Sequence, residues 1–147
     1  MEELRKPATL RDDFFGEFVL HRLGYQFEVR KEWCGKPVRL SLDVCQSMED
    51  LLAAAREMWS RQEEWHKRIT DYAVAMLLPL KNEAWLDDDE KEVTPAEFVS
   101  CMELTSIHLD PDGGFTFWHR DGDLFWGHSI QISGTLAEGP KYADIPG

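Results

Sequence analysis

Three histidines, His108, His119 and His128, crowd the last third of the chain. Imidazole nitrogens are frequent zinc ligands, so the first chemistry to test is a metal centre. Pro111-Asp112-Gly113 and Asp121-Gly122 read as tight turns joining three strands, Glu103 to Asp110, Gly114 to Arg120 and Leu124 to Gly134. In the register those turns dictate, Leu109 faces Phe115, Ile107 faces Phe117, Thr105 and Leu124 face His119, Trp126 faces Phe117 and His128 faces Phe115. Ile107, Leu109, Phe115, Phe117, Leu124, Trp126, Ile130 and Ile132 then share one core-facing side. His119 and His128 lie on it about four residues apart, roughly 13 Å at ~3.3 Å per residue. They cannot share an ion at Zn–N distances near ~2 Å. His108 points to the other side with Trp118 and Arg120. The histidines are therefore expected as half-buried, hydrogen-bonded groups of the sheet, with no metal site.

Other reactive constellations are missing from the sequence. There is no G-x-S-x-G elbow, no H-E-x-x-H, no phosphate-binding glycine loop and no G-x-G-x-x-G. Asp121 and Asp123 are explained by turn formation. Cys34, Cys45 and Cys101 are odd in number and widely spaced, which suits neither a disulfide framework nor a zinc knuckle. Neither enzymatic activity nor a cofactor is expected. The alternative is a small-molecule enzyme or ligand-binding protein, with Trp118, Asp123, Trp126 and His128 beside the final hairpin.

The most informative surface feature is Trp85 followed by Asp87, Asp88, Asp89, Glu90 and Glu92. Between Glu83 and Glu97 seven acidic side chains face Lys91 alone, which concentrates half of the net charge of −12 in that stretch. A charge run is often just a solvated loop. Coupled to a large aromatic, it also suits docking to a basic protein: the field speeds encounter and the indole supplies a desolvated anchor. The D-x-[DN]-x-[DN]-G spacing of a calcium loop is absent.

Composition narrows the partner. In 147 residues, 28 acidic side chains oppose 16 basic ones. Nucleic acid and anionic membrane are disfavoured, because both require lysine and arginine against phosphate. Six tryptophans and eight phenylalanines argue against disorder, and the length suits one domain, 1–147. Met1 to Phe15 mixes charges without a leader core, and the longest uncharged apolar stretch, Tyr72 to Leu80, is far short of the ~20 residues a membrane span needs. A reducing cytoplasm is the expected compartment.

These residues must be positioned by a frame that the hydrophobic periods outline. Phe14 to Arg22, Tyr25 to Trp33 and Pro37 to Asp43 alternate with period two and read as a strand meander. From Met48 to Leu80 apolar residues recur at steps of three and four, an amphipathic helix expected to break near Ile69 to Asp71, with Thr70 as a cap. Ser47 with Asp50 resembles a cap for its start, and Thr94-Pro95-Ala96-Glu97 starts a short helix to about Met102. The three C-terminal strands follow, and the tail from Thr135 to Gly147 is expected across the surface. The fold expected is α+β: an antiparallel sheet of two three-stranded meanders, N- and C-terminal, with the central helices packed on one face.

The string Asp121-Gly122-Asp123-Leu124-Phe125-Trp126-Gly127-His128-Ser129-Ile130 carries a resemblance. With Asn82, Trp85, Thr94-Pro95-Ala96-Glu97-Phe98 and the ending Ala143-Asp144-Ile145-Pro146-Gly147, the chain resembles the bacterial family called domain of unknown function 2262, from about Phe14 onward. The resemblance implies a bacterial cytoplasmic protein and brings no catalytic residues with it. By analogy of size and charge, such small acidic proteins resemble immunity proteins that neutralise toxins. The expected function is thus an immunity-type inhibitor that occludes the basic site of a toxin or toxin domain, using Trp85, Asp87, Asp88, Asp89, Glu90 and Glu92.

Overall fold

The computed structural model describes residues 8–147. Residues 1–7, half of the segment read as lacking a leader core, lie outside the described residues. In chain order the elements are β1 (Thr9–Asp12), β2 (Gly16–Leu20), β3 (Gln26–Trp33), β4 (Lys36–Asp43), α1 (Met48–Ser60), α2 (Gln62–Ala84), α3 (Pro95–Cys101), β5 (Glu103–Leu109), β6 (Gly114–Arg120), β7 (Ile130–Thr135) and β8 (Gly139–Asp144).

The strands form one eight-stranded sheet in sequence order. Neighbours are antiparallel except at the centre, where β4 and β5 run parallel with Leu40 beside Ile107 and Leu42 beside Leu109. This overturns the expected antiparallel sheet of two three-stranded meanders. Each half contributes four strands, and the halves join at a parallel seam. A parallel pair needs a long crossover, which the helical segment supplies. Joining the halves also removes two open edges.

Two strands escaped the periodicity argument. The strand expected over Phe14 to Arg22 is β2, but β1 precedes it unforeseen: Asp12 turns the chain between them by accepting the Phe14 and Phe15 N–H groups at 3.0 and 2.9 Å. The tail expected across the surface contains β8, which pairs with β7 through Ile132 and Ala143. Pro140 is tolerated there because β8 is an edge strand. The Tyr72 hydroxyl donates to the Lys141 carbonyl and ties α2 to this edge.

One face of the sheet builds the core in rows. Val29, Leu40, Ile107, Phe117 and Ile132 are successive cross-strand partners. Onto this face α1 brings Leu51, Ala55, Met58 and Trp59, and α2 brings Trp65, Ile69, Ala73 and Leu77, all in one buried cluster. Their three- and four-residue steps are the stripe read from the sequence.

The break between the helices falls at Arg61, not at Ile69 to Asp71. Its position is set by a tertiary contact. The Gln62 side chain accepts from the Cys34 N–H at 2.5 Å and donates to the Trp59 carbonyl at 3.1 Å, pinning the helix junction to the β3–β4 turn. Thr70 sits inside α2, its hydroxyl donating to the His66 and Lys67 carbonyls at 3.0 and 3.2 Å. The α3 start matches its sequence signature: Thr94 Oγ1 accepts from the Glu97 N–H and Glu97 Oε1 from the Thr94 N–H, both at 3.2 Å. No described helix is long and apolar enough to cross a membrane.

Candidate partner-binding site

The segment between β6 and β7 departs most from expectation. His119 pairs with Ile130, Phe117 with Ile132 and Phe115 with Gly134, so the residues from Asp121 to Ser129 leave the ladder altogether. Asp121 is the cause. Its carboxylate, 5% exposed, accepts from the Asp123 N–H at 3.1 Å through Oδ1, and from Phe125 and Gly127 at 2.8 and 3.0 Å through Oδ2. Such side-chain bonds compete with strand pairing, and here they win. The resulting loop holds Asp123 at φ 66° and Trp126 at φ 57°, a left-handed backbone that L-residues adopt at a cost. Gly122 has no room for a side chain, since a Cβ there would lie 2.6 Å from the Cys101 carbonyl oxygen.

The Asp121 account makes a direct prediction. In Asp121→Asn the amide –NH2 cannot accept, so at least one of the three N–H groups is left without a partner. We expect a loss of about 1–3 kcal/mol, measured by urea unfolding at pH 7.

The loop turns its aromatic residues two ways. Phe125 goes inward, edge-on to Trp85 and Phe98 at ring separations of 5.5 and 6.1 Å. Trp126 goes outward, 56% exposed, with its ring 4.7 Å from Trp85. His128 completes the group 5.2 Å from Trp85, its Nδ1 donating to the Phe125 carbonyl at 2.6 Å. Trp126 and His128 therefore do not line the core face of a strand, as the register argument required. Instead the loop brings them onto Trp85, the residue that opens the acidic stretch. Phe125 and Asp121 are the residues this reading missed: strict alternation placed Phe125 outward and made Asp121 a turn former only.

The acidic stretch is pinned at both ends. Lys81, 0% exposed, donates to the Trp85 carbonyl at 2.7 Å and to Glu90 Oε1 at 2.9 Å. That hydrogen bond holds the Glu90 carboxyl below its ordinary value of 4.5. Asn82 clamps Val93 with a pair of bonds at 3.1 and 2.8 Å. Glu90 is thus tied to the fold through Lys81 while its carboxylate still reaches water. Asp87, Asp88, Asp89 and Glu92 are exposed and form no ion pair with a described residue, and Asp123 shares that state beside Trp126.

The remaining candidates lie elsewhere or nearby. Trp118 is on β6, cross-strand from Ser106 and Gln131 and apart from the aromatic group. An open depression of about 430 Å3 runs past Arg120, Asp123, His128 and Ser129. His108 has Nε2 3.1 Å from Asp43 and Nδ1 3.4 Å from Gln26 Nε2. His119, 5% exposed, has its pKa pushed down to about 4 by burial. Among the described residues no three His, Cys, Asp or Glu side chains are grouped to hold a metal ion.

What these elements define is a mixed-sheet protein with a tryptophan ledge set in a field of unpaired carboxylates. The family model for DUF2262, described as an uncharacterized protein conserved in bacteria, matches residues 12–145, and the chain belongs to that family. No curated protein and no solved structure matches it.

Proposed function

We propose that this chain is a binding protein that docks a basic protein partner on the Trp85–Trp126 ledge, in the manner of an immunity-type inhibitor covering the basic site of a toxin. The observation that carries the reading is Trp126, a large aromatic held in solvent on a left-handed backbone by a loop organised around one buried carboxylate. Exposure of the indole and the backbone conformation both oppose stability, the latter by about 1–3 kcal/mol. Sites that keep such strain are frequently functional, and an aromatic anchor ringed by charge is what a docking surface uses. Asp87, Asp88, Asp89, Glu92 and Asp123 supply the field, and Glu90 anchors the stretch to Lys81.

The small-molecule reading has the depression beside Asp123 and His128 in its favour. It is the weaker of the two, because Asp121 spends its carboxylate on the loop backbone and His128 spends Nδ1 on Phe125.

The test is affinity capture from the native bacterium with the wild-type chain and with a variant carrying Asn at 87, 88 and 89 and Gln at 92. A single basic protein retained at low salt, released at high salt and not retained by the variant is expected. Identical retention by both chains at both salts defeats the reading.

A further inference from the structure

The chemistry of the ledge is narrower than a preference for positive charge. Trp85 is braced by Phe125 and His128, edge-on to it at 5.5 and 5.2 Å, and by Lys81, which holds its carbonyl at 2.7 Å. Trp126 rests on it at 4.7 Å with the ring planes inclined at 57°, and more than half of Trp126 still meets solvent. The face of an indole is its negative pole and attracts a cation placed within about 6 Å of the ring centre. The chain uses that attraction elsewhere: the Arg68 guanidinium lies 4.5 Å from the Trp65 ring centroid, and Lys31 Nζ lies 4.4 Å from that of Phe14. Among the described residues no cation lies over Trp85 or Trp126.

The field around this open indole stays negative when the chain's own cations are counted. Seven acidic side chains between Glu83 and Glu97 face Lys91 alone. Lys81 is taken up by Glu90, and Arg120, in the depression beside Asp123, is drawn to Glu103 at 3.7 Å. Asp123 stands close to the anchor, since the Trp126 N–H reaches the Asp123 carbonyl at 3.5 Å. An apolar side chain laid on Trp126 would strip water from these carboxylates and return no hydrogen bond to them. An ammonium would pair with them only as a compact, strongly hydrated charge. A guanidinium meets both demands: its plane stacks on an indole, and the N–H groups along its edge donate to carboxylates in pairs.

We propose that the ledge is an arginine site: the docked partner lays an arginine side chain on the open part of the Trp126 indole, with its guanidinium N–H groups directed to Asp123 and to the carboxylates of the 87–92 stretch. This assignment rests on the docking reading above and narrows the partner to a protein whose basic site presents arginine, not lysine, at its centre.

The probes are tetra-arginine and tetra-lysine peptides of equal charge, each titrated at low salt into the 15N-labelled chain while the Trp126 indole N–H signal and the peptide side-chain methylene protons are followed. Tetra-arginine is expected to shift the Trp126 signal saturably, to have its δ-methylene protons moved upfield by the indole ring current, and to bind about threefold or more tighter than tetra-lysine. Trp126→Leu, which keeps an apolar side chain at this exposed position, brings the two peptides to equal affinity. Asp123→Asn, which the left-handed backbone there tolerates, weakens tetra-arginine more than tetra-lysine. Equal affinity of the two peptides for the wild-type chain, an arginine preference that survives Trp126→Leu, or saturable binding without the upfield shift overturns the proposal. The affinity capture judges the docking reading separately. A basic protein retained through the carboxylates by a chain with no arginine preference upholds that reading and removes this one; an arginine preference with nothing captured upholds the arginine site and removes the toxin-type partner.

Discussion

Glu90→Gln lowers the unfolding free energy by about 2–4 kcal/mol at pH 7, whereas Lys81→Met costs less. The pair is asymmetric: the Lys81 side chain is 0% exposed and that of Glu90 is 32% exposed. Removing one partner of a fully buried ion pair costs roughly 3–5 kcal/mol, because the other charge is stranded. The figure is reduced here because Glu90 reaches water. In Glu90→Gln the amide oxygen can still accept from the ammonium, but the buried charge has lost its counter-ion; without Lys81 the carboxylate turns outward and is solvated. The double variant Lys81→Met with Glu90→Gln therefore recovers part of the loss, which urea unfolding of the three variants checks. The pH dependence follows the same bond. A carboxyl held below its ordinary 4.5 contributes stability that is present above that value and is lost as pH falls through the lower value of the folded state. Glu90→Gln lacks this acid-labile component.

His119 gives the second large effect. Burial holds it neutral, with a pKa near 4 in the folded chain against an ordinary 6.5. Above pH 6.5 neither folded nor unfolded chain carries the proton, and the histidine makes no pH-dependent difference. As pH falls from 6.5 to about 4 only the unfolded chain gains it, so stability declines across that window. At ~1.36 kcal/mol per unit the loss approaches roughly 3 kcal/mol. His119→Phe keeps a ring on the core face and removes the titration. The stability of wild type relative to this variant should fall by roughly that amount between pH 7 and pH 4 in urea unfolding series. A difference constant with pH would mean that His119 is protonated in place.

The parts that were legible in the sequence are those fixed by local chemistry. The Thr94 to Glu97 capping box closes with the partners its spacing specifies, and Leu109 and Ile107 meet Phe115 and Phe117 across the Pro111-Asp112-Gly113 turn. Where a long-range contact decided, the local pattern misled. Gln62 breaks the helix because it reaches Cys34, a residue no helical period contains. The parallel seam depends on β4 meeting β5 after three helices, which alternation within each strand does not encode.

The candidate site divides along the same line. The acidic stretch and the aromatic string are both conspicuous in one dimension, and no local pattern connects them. Asp121-Gly122 is a strong two-residue hairpin signal, and Leu124, Trp126 and His128 alternate correctly for a strand. The carboxylate of Asp121 captures three N–H groups before that ladder can form. Only then does Trp126 land on Trp85, joining the two stretches.

The most direct test of this account is the affinity of the captured basic partner for Trp126→Ala, measured by calorimetry beside wild type. Trp126 is largely outside the core, so the variant folds, which unfolding curves verify. If the ledge is the docking anchor, truncation of its exposed indole costs at least about 2 kcal/mol, some thirtyfold in Kd. Affinity within twofold of wild type would contradict the account and leave Trp126 without a role in binding.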